Sequence, residues 1–356
     1  MLVMPNEQLR RLAPDKPEMT ELIPFPIASL TAVRGVEGVI HNESYLPTGI
    51  ICGLDPEKIY YDTGHQLLNT EQLHVDFSEV KDDCVALKIY AAETTGGFNI
   101  AIKDVSQVAD VWRQYSPEKP IIIHAEDDGV REVIASVAEL KDGYKIPLHF
   151  AHVSSRQELE AIIAAKKDGM NVTCEVTPHH LFLTDDAREL LGGRGCMKPS
   201  LKPEADRQFL WDNIRHIDMI ASDCAPHRIS DKEAEKPAYG VTNHTVMLPL
   251  LWGAVEQGLL TESELFEKLC INPRKRFNLP LDDNSYIHYS TKENNLSAQD
   301  YEQMARVHYG ENPFAYLESD KYKYVGKIVV AKAGKSIITP EFTILKNSYE
   351  HLILPR

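Results

Sequence analysis

No stretch of this 356-residue sequence approaches the roughly 20 consecutive apolar residues that a membrane-crossing helix needs. Positive charge is also scarce. Its 38 lysines and arginines against 53 aspartates and glutamates leave a formal charge of −15, which excludes the basic surface that nucleic-acid phosphates require. That balance still admits a small anionic substrate, which needs only a few local cations. The six cysteines (Cys52, Cys84, Cys174, Cys196, Cys224, Cys270) form no CxxC pair. In a chain of this length they read as reduced thiols of a cytoplasmic protein rather than a disulfide framework. Met1–Asn6 has neither the basic start nor the apolar core of a signal peptide, and reads as the end of a buried strand running into a loop. Internal repeats and low-complexity segments are absent too.

What is present is the balance of a soluble globular domain, with 43% hydrophobic and 26% charged residues. Between about residues 47 and 271, short apolar runs alternate with amphipathic stretches. Strands are expected over Thr48–Leu54, Cys84–Tyr90, Pro120–His124, Ile146–His152, Met170–Glu175 and Ile217–Asp223. Helices are expected over Ile102–Tyr115, Val130–Lys141, Ser155–Asp168, Lys202–Arg215, Val246–Gln257 and Thr261–Cys270. Ser155 with Glu158 three residues on has the form of a capping box. Asn272-Pro273 and Leu279-Pro280 read as breaks. Strands alternating with helices of ten or more residues predict βαβ units and a parallel sheet, in a chain long enough for a single α/β barrel. The tail from about 281 begins polar and then offers strand-like Lys327–Ala331 and Ser336–Leu345, an expected β appendage.

The ionisable residues fall at the ends of these strands. His124 closes Ile121-Ile-Ile-His, His152 closes Leu148-His-Phe-Ala-His, Glu175 closes Val172-Thr-Cys-Glu, and Asp223 closes Ile220-Ala-Ser-Asp. Lys88 stands charged among apolar neighbours in Val85-Ala-Leu-Lys-Ile-Tyr. Taken singly, each has an ordinary structural explanation: a hydrogen-bonded histidine, a lysine reaching solvent, an aspartate in a turn. Five such coincidences on five strands point instead to one mouth, because the C-terminal ends of barrel strands converge. Two histidines and an aspartate suit zinc. Lysine is not a usual zinc ligand, but its neutral amine reacts with carbon dioxide to give a carbamate able to bridge two ions. Burial favours that neutral form.

Three segments resemble a known family. Val172-Thr-Cys-Glu-Val-Thr-Pro-His-His-Leu-Phe-Leu-Thr184 is similar to the seventh-strand signature of dihydroorotases in the amidohydrolase superfamily. Ile217-Asp-Met-Ile-Ala-Ser-Asp-Cys-Ala-Pro-His227 is similar to their eighth-strand motif Asp-x-Ala-Pro-His. Tyr239-Gly-Val-Thr, Met247-Leu-Pro-Leu-Leu and Ile271–Pro280 resemble the family's segments C-terminal to that motif. Met4-Pro-Asn6 looks like the end of the family's second strand. The likeness is strongest over about 84–280 and closest to type I enzymes and the dihydroorotase domain of the multifunctional pyrimidine-synthesis protein. Allantoinases and hydantoinases, the nearest relatives, differ at Pro-His-His-Leu.

The resemblance implies a metal-dependent TIM-like (β/α)8 barrel over 1–280 that lacks its first strand, with a C-terminal β appendage over 281–356. It implies Lys88 as a carboxylated metal-bridging residue, His124 and His152 as ligands of one zinc, and Asp223 as ligand of the other and catalytic base. Glu175 would be a further metal ligand or a supporting acid, while Asn6, Thr94, Lys198 and His227 would touch substrate. A metal-activated hydroxide would then interconvert N-carbamoyl-L-aspartate and dihydroorotate, with the protein as a homo-oligomer or in a complex with other pyrimidine-synthesis enzymes. The family's first-strand His-x-His pair does not occur in this sequence. An inactive scaffold therefore stands beside the enzyme as an expectation, with fewer than the family's two zinc ions.

Overall fold

The fold is given by a computed structural model that describes residues 86–93 and 100–278, apart from 224, 226, 228 and 242. It also describes the backbones of three strands, Tyr286–Glu293, Val325–Ala333 and Ser336–Ile338. Asn6, Thr94 and the expected strand Thr48–Leu54 lie outside the described residues.

Five strands, β1 (Leu87–Tyr90), β2 (Ile121–His124), β3 (Leu148–Phe150), β4 (Val172–Val176) and β5 (Met219–Ile220), form one parallel sheet in sequential order. Helices α1 (Ile102–Tyr115), α2 (Asp128–Ala138) and α3 (Arg156–Lys167) cross between successive strands and pack each on the next. Sequential order with no reversal is the winding of a barrel wall, whereas a doubly wound sheet changes direction at a switch point.

Strand alternation explains why both faces are buried yet differ in chemistry. Leu87, Ile89, Ile121, Ile123, Leu148, Phe150, Val172, Cys174 and Val176 alternate onto one face and join Val105, Val108, Trp112, Val133, Leu159 and Ile162 of the helices in a continuous core. The pairing register puts Lys88 beside Ile122, Ile122 beside His149, and His149 beside Thr173. Two residues on, Tyr90 pairs with His124. Lys88, Tyr90, His124, His149 and Glu175 therefore share the opposite face. It is buried like the core but lined with ionisable groups.

The ladder is shorter than the apolar runs predict. The expected strand Ile146–His152 pairs only over Leu148–Phe150, and Ile217–Asp223 only over Met219–Ile220. His152 (φ 42°) and Asp223 (φ 43°) both turn into the left-handed region just past these ends, a conformation incompatible with continuing the strand. Ser155 caps α3 as expected, accepting from the Glu158 amide while Glu158 completes the capping box. The chain continues through α4 (Pro178–Phe182), α5 (Asp185–Leu191), α6 (Glu204–Asp212), α7 (Ile229–Lys232), α8 (His244–Glu256) and α9 (Glu262–Phe266). The expected break at Asn272-Pro273 is instead the start of α10 (Asn272–Phe277), since proline in the first helical turn forfeits only an amide that would go unpaired there. Tyr286–Glu293, Val325–Ala333 and Ser336–Ile338 form a separate antiparallel sheet, so a β element occupies part of the tail. None of the described helices is long and apolar enough to cross a membrane.

Candidate functional site

His124 and His152 meet edge to face. Nδ1 of His124 lies 2.8 Å from Nε2 of His152, and both rings are buried. Burial pulls the first below its ordinary value and the second well below, so both rings are neutral at pH 7. Nε2 of His124 faces Glu126 at 3.6 Å, just beyond hydrogen-bond length. Neither that nitrogen nor Nδ1 of His152 has a hydrogen-bond partner among the described residues.

Lys88 is the second unusual group. It is 1% exposed, and its amine has no hydrogen-bond partner among the described residues. Burial lowers its pKa to about 8, against the opposing pull of the Asp223 and Glu175 carboxylates. A buried ammonium without a partner is costly, which favours loss of its proton or conversion to another species. Glu175 is held on one side, its Oε2 accepting from Nε2 of His149 at 3.2 Å, while Nδ1 of His149 meets Thr173 Oγ1 at 3.0 Å. The other oxygen of Glu175 has no hydrogen-bond partner among the described residues.

The loops carrying these groups are tied together by Glu158 in the first turn of α3. Its carboxylate accepts from the amide of Asp127, beyond β2, and from the amides of Ser154 and Ser155, beyond β3. One buried side chain thus sets the spacing between the segment leaving His124 and the segment leaving His152.

Lys198, whose charge acts on Glu126, and His227 come next. Nε2 of His227 donates to the Tyr239 carbonyl at 2.8 Å, and burial holds its pKa down to about 4. The Lys198 ammonium lies 5.3 Å from the centre of the Tyr239 ring. Lys88, His124, His152, Glu175 and Asp223 thus gather at one end of the strands, with Lys198 and His227 linked to each other through Tyr239.

Sequence reasoning left out four groups, three of them fully buried. His149 was hidden because it precedes the strand-end histidine by three residues, although the alternation Leu148-His149-Phe150 marks it as sharing the Lys88 face. His179 accepts at Nδ1 from the Asn243 side chain, 2.8 Å away, and His180 lies between the Thr177 hydroxyl and the Pro199 carbonyl. Glu126 carried no signal at all.

As a test of fit to a metal, two imidazoles on a tetrahedral zinc would stand about 3.3 Å apart. The facing nitrogens therefore need to separate by only about half an ångström. Among the described residues no three His, Cys, Asp or Glu side chains assemble as a metal-binding group. The facing nitrogens of the two histidines are close to the spacing of one ion, with no third ready donor among the described residues.

No protein-family profile matches the chain, but individual proteins do. The multifunctional protein CAD of Squalus acanthias is 36% identical over 209 residues, 58% of this chain and 9% of that protein. A dihydroorotase of Pyrococcus furiosus is 34% identical over 224 residues, 62% of this chain and 51% of the enzyme. Over about three fifths of its length the chain is thus a homologue of dihydroorotases, and it spans about half the length of the archaeal relative. Among solved structures, dihydropyrimidinase from Brevibacillus agri superposes with a TM-score of 0.63 at 14% identity, covering 82% of this chain and 71% of that one. The inactive dihydroorotase-like domain of a Chaetomium thermophilum CAD-like multifunctional protein gives 0.54 at 18%, covering 78% and 74%. These likenesses establish the amidohydrolase α/β fold.

Proposed function

We propose, from this homology with dihydroorotases, that the chain forms a cyclic-amide hydrolase site interconverting dihydroorotate and N-carbamoyl-L-aspartate, with zinc held by His124, His152 and carboxylated Lys88. The observation that carries it is the pair of neutral, buried imidazole nitrogens facing each other at 2.8 Å beside a buried amine with no hydrogen-bond partner among the described residues. Hydrophobic packing does not call for such a group, and it costs stability unless something binds there.

Zinc in that place would supply Lewis-acid polarisation of the ring amide carbonyl. The chain's own residues do the rest. Lys88, once carboxylated, changes from a cation to a carboxylate beside Asp223 and Glu175, and the concentrated negative charge is what a bound cation would balance. Asp223, held past the end of β5, takes a proton from the attacking water and returns it to the leaving ring nitrogen. Glu175, steadied by His149, is the supporting acid beside Lys88. Lys198 supplies the cation for the substrate carboxylate, joined by Asn6 and Thr94, and His227 joins them by turning its Nε2–H from the Tyr239 carbonyl to the carboxylate. A homo-oligomer or a complex with other pyrimidine-synthesis enzymes is proposed as the working context.

The test is zinc content and carbamoyl-aspartate cyclisation by the purified chain and by Lys88→Ala. About one zinc per chain with turnover supports the reading, and Lys88→Ala should lose both. An unchanged zinc content in that variant would remove the carboxylated lysine from the proposal. A second reading, a non-catalytic dihydroorotase-like scaffold, draws on the lack of a third ready donor among the described residues. Zinc bound without any turnover decides for it. Turnover of hydantoin or dihydrouracil in place of dihydroorotate would move the substrate toward hydantoinases.

A further inference from the structure

Lys232, the last residue of α7, is 0% exposed, yet its ammonium is held by backbone carbonyl oxygens. Nζ donates to Cys196 at 2.5 Å, Ala238 at 2.8 Å and Gly240 at 2.8 Å. These acceptors come from two segments that α7 separates in sequence. The Ala238 and Gly240 carbonyls flank Tyr239, whose own carbonyl accepts from His227 and whose ring lies against Lys198. The Cys196 carbonyl, two residues before Lys198, also accepts from the Gly240 amide at 3.1 Å. The path of the 238–240 segment has little slack. Gly240 has φ +140°, and a Cβ there would come within 2.6 Å of both the Cβ and the carbonyl oxygen of Ala225. Asp231 carries the neighbouring backbone as well, its carbonyl accepting from the Ala238 amide.

We infer that Lys232 is a positioning residue for carboxylate recognition. It fastens the Cys196–Lys198 segment and the Ala238–Gly240 segment to one point, and through Tyr239 it sets the spacing of Lys198 and His227. Its ammonium reaches three backbone carbonyls among the described residues. A buried ammonium is held here by dipoles with fixed directions, so it fixes backbone geometry in a way a flexible carboxylate partner would not. Lys232 itself touches no substrate. This rests on the reading of Lys198 and His227 as the substrate-carboxylate site, and it adds what makes that site select for a carboxylate.

The experiment compares the parent chain with Lys232→Met and Tyr239→Ala, both zinc-loaded. The probes are dihydroorotate and dihydrouracil, the same ring without the carboxylate. Calorimetry should show dihydroorotate binding weakened at least about tenfold in each variant while dihydrouracil binding and zinc content stay as in the parent. Lys232→Arg should restore part of the loss. Equal weakening of both ligands, or none, in a folded variant overturns the inference. Where Lys232→Met fails to fold, Lys232→Gln carries the same test, because its amide keeps donors in the pocket while removing the ammonium, and Tyr239→Ala then tests only the ring contact with Lys198. Should the parent bind neither ring, the carboxylate-site reading is the one that has failed. Hydrogen exchange then decides about Lys232, with peptides covering 196–198 and 238–241 exchanging at least about tenfold faster in the variant supporting the clamp, and unchanged exchange there overturning it.

Discussion

At the scale of the single residue, the site is made by burial acting on groups that water would otherwise serve. Lys88 is the clearest case: full burial lowers its pKa to about 8 although two carboxylates oppose the shift. Neutral amine is the form that reacts with carbon dioxide, so raising pH from 7 to 9 in bicarbonate should increase carbamate at Lys88. Carbon-13 NMR with labelled bicarbonate reads this directly, and a signal that persists in Lys88→Ala would refute the assignment. His180 shows the converse use of burial. Its Nε2 donates to the Pro199 carbonyl at 3.1 Å, so its Nδ1 is left to accept from the Thr177 hydroxyl at 2.8 Å. One tautomer satisfies both bonds, and a second proton would break the latter. Replacement by glutamine should keep the fold and by alanine should cost about 1–3 kcal/mol in urea unfolding, the penalty of two buried partners left unpaired.

At the scale of elements, function depends on where strands stop. Residues at the ends of β3 and β5 leave the ladder through left-handed backbone at His152 and Asp223, which turns these side chains out of the alternation that would otherwise assign them to a face. α3 then enforces the arrangement. Its capping box is a local device worth about 1 kcal/mol, so Ser155→Ala should lower stability by roughly that amount and leave zinc binding unchanged. Glu158 does more than cap. It takes amides from the loops beyond both histidines, and Glu158→Ala strands those donors in a buried position. An unfolding penalty of about 2–4 kcal/mol and weaker zinc binding are expected together. Loss of stability with zinc affinity intact would show that the loops hold their spacing without it. α3 itself was legible in the sequence, because Ser155 and Glu158 carry the start signal. The reach of Glu158 to Asp127 was not, since 31 residues separate them and only the packing of β2 beside β3 brings them close.

At the scale of the whole molecule, the wall of parallel strands has an apolar face toward the helices and an ionisable face inside. That division makes stability depend on pH. His180 and His227 are pulled down to about 4 from the ordinary 6.5 by burial. Between those values the unfolded chain binds protons that the native chain refuses, so stability is full above about 6.5 and falls as pH drops toward 4. Each group contributes about 3 kcal/mol across that window. Urea titrations from pH 7 to pH 4 should show this decline, and it should be shallower in His180→Gln. A flat profile would mean that these rings are hydrated in solution. The sequence alone determined the succession of strands and helices, the placing of Lys88 within a strand and of His124 and Glu175 near strand ends, and the likeness to dihydroorotases, because all of these come from local periodicity and contiguous motifs. The tertiary structure alone decided that His149 shares the Lys88 face in a buried bond to Glu175, that His124 and His152 face each other, and that Lys232 ties the segments of Lys198 and Tyr239. Those relations join residues tens of positions apart, and only the register of neighbouring strands and the burial of both sheet faces bring their side chains within bonding distance.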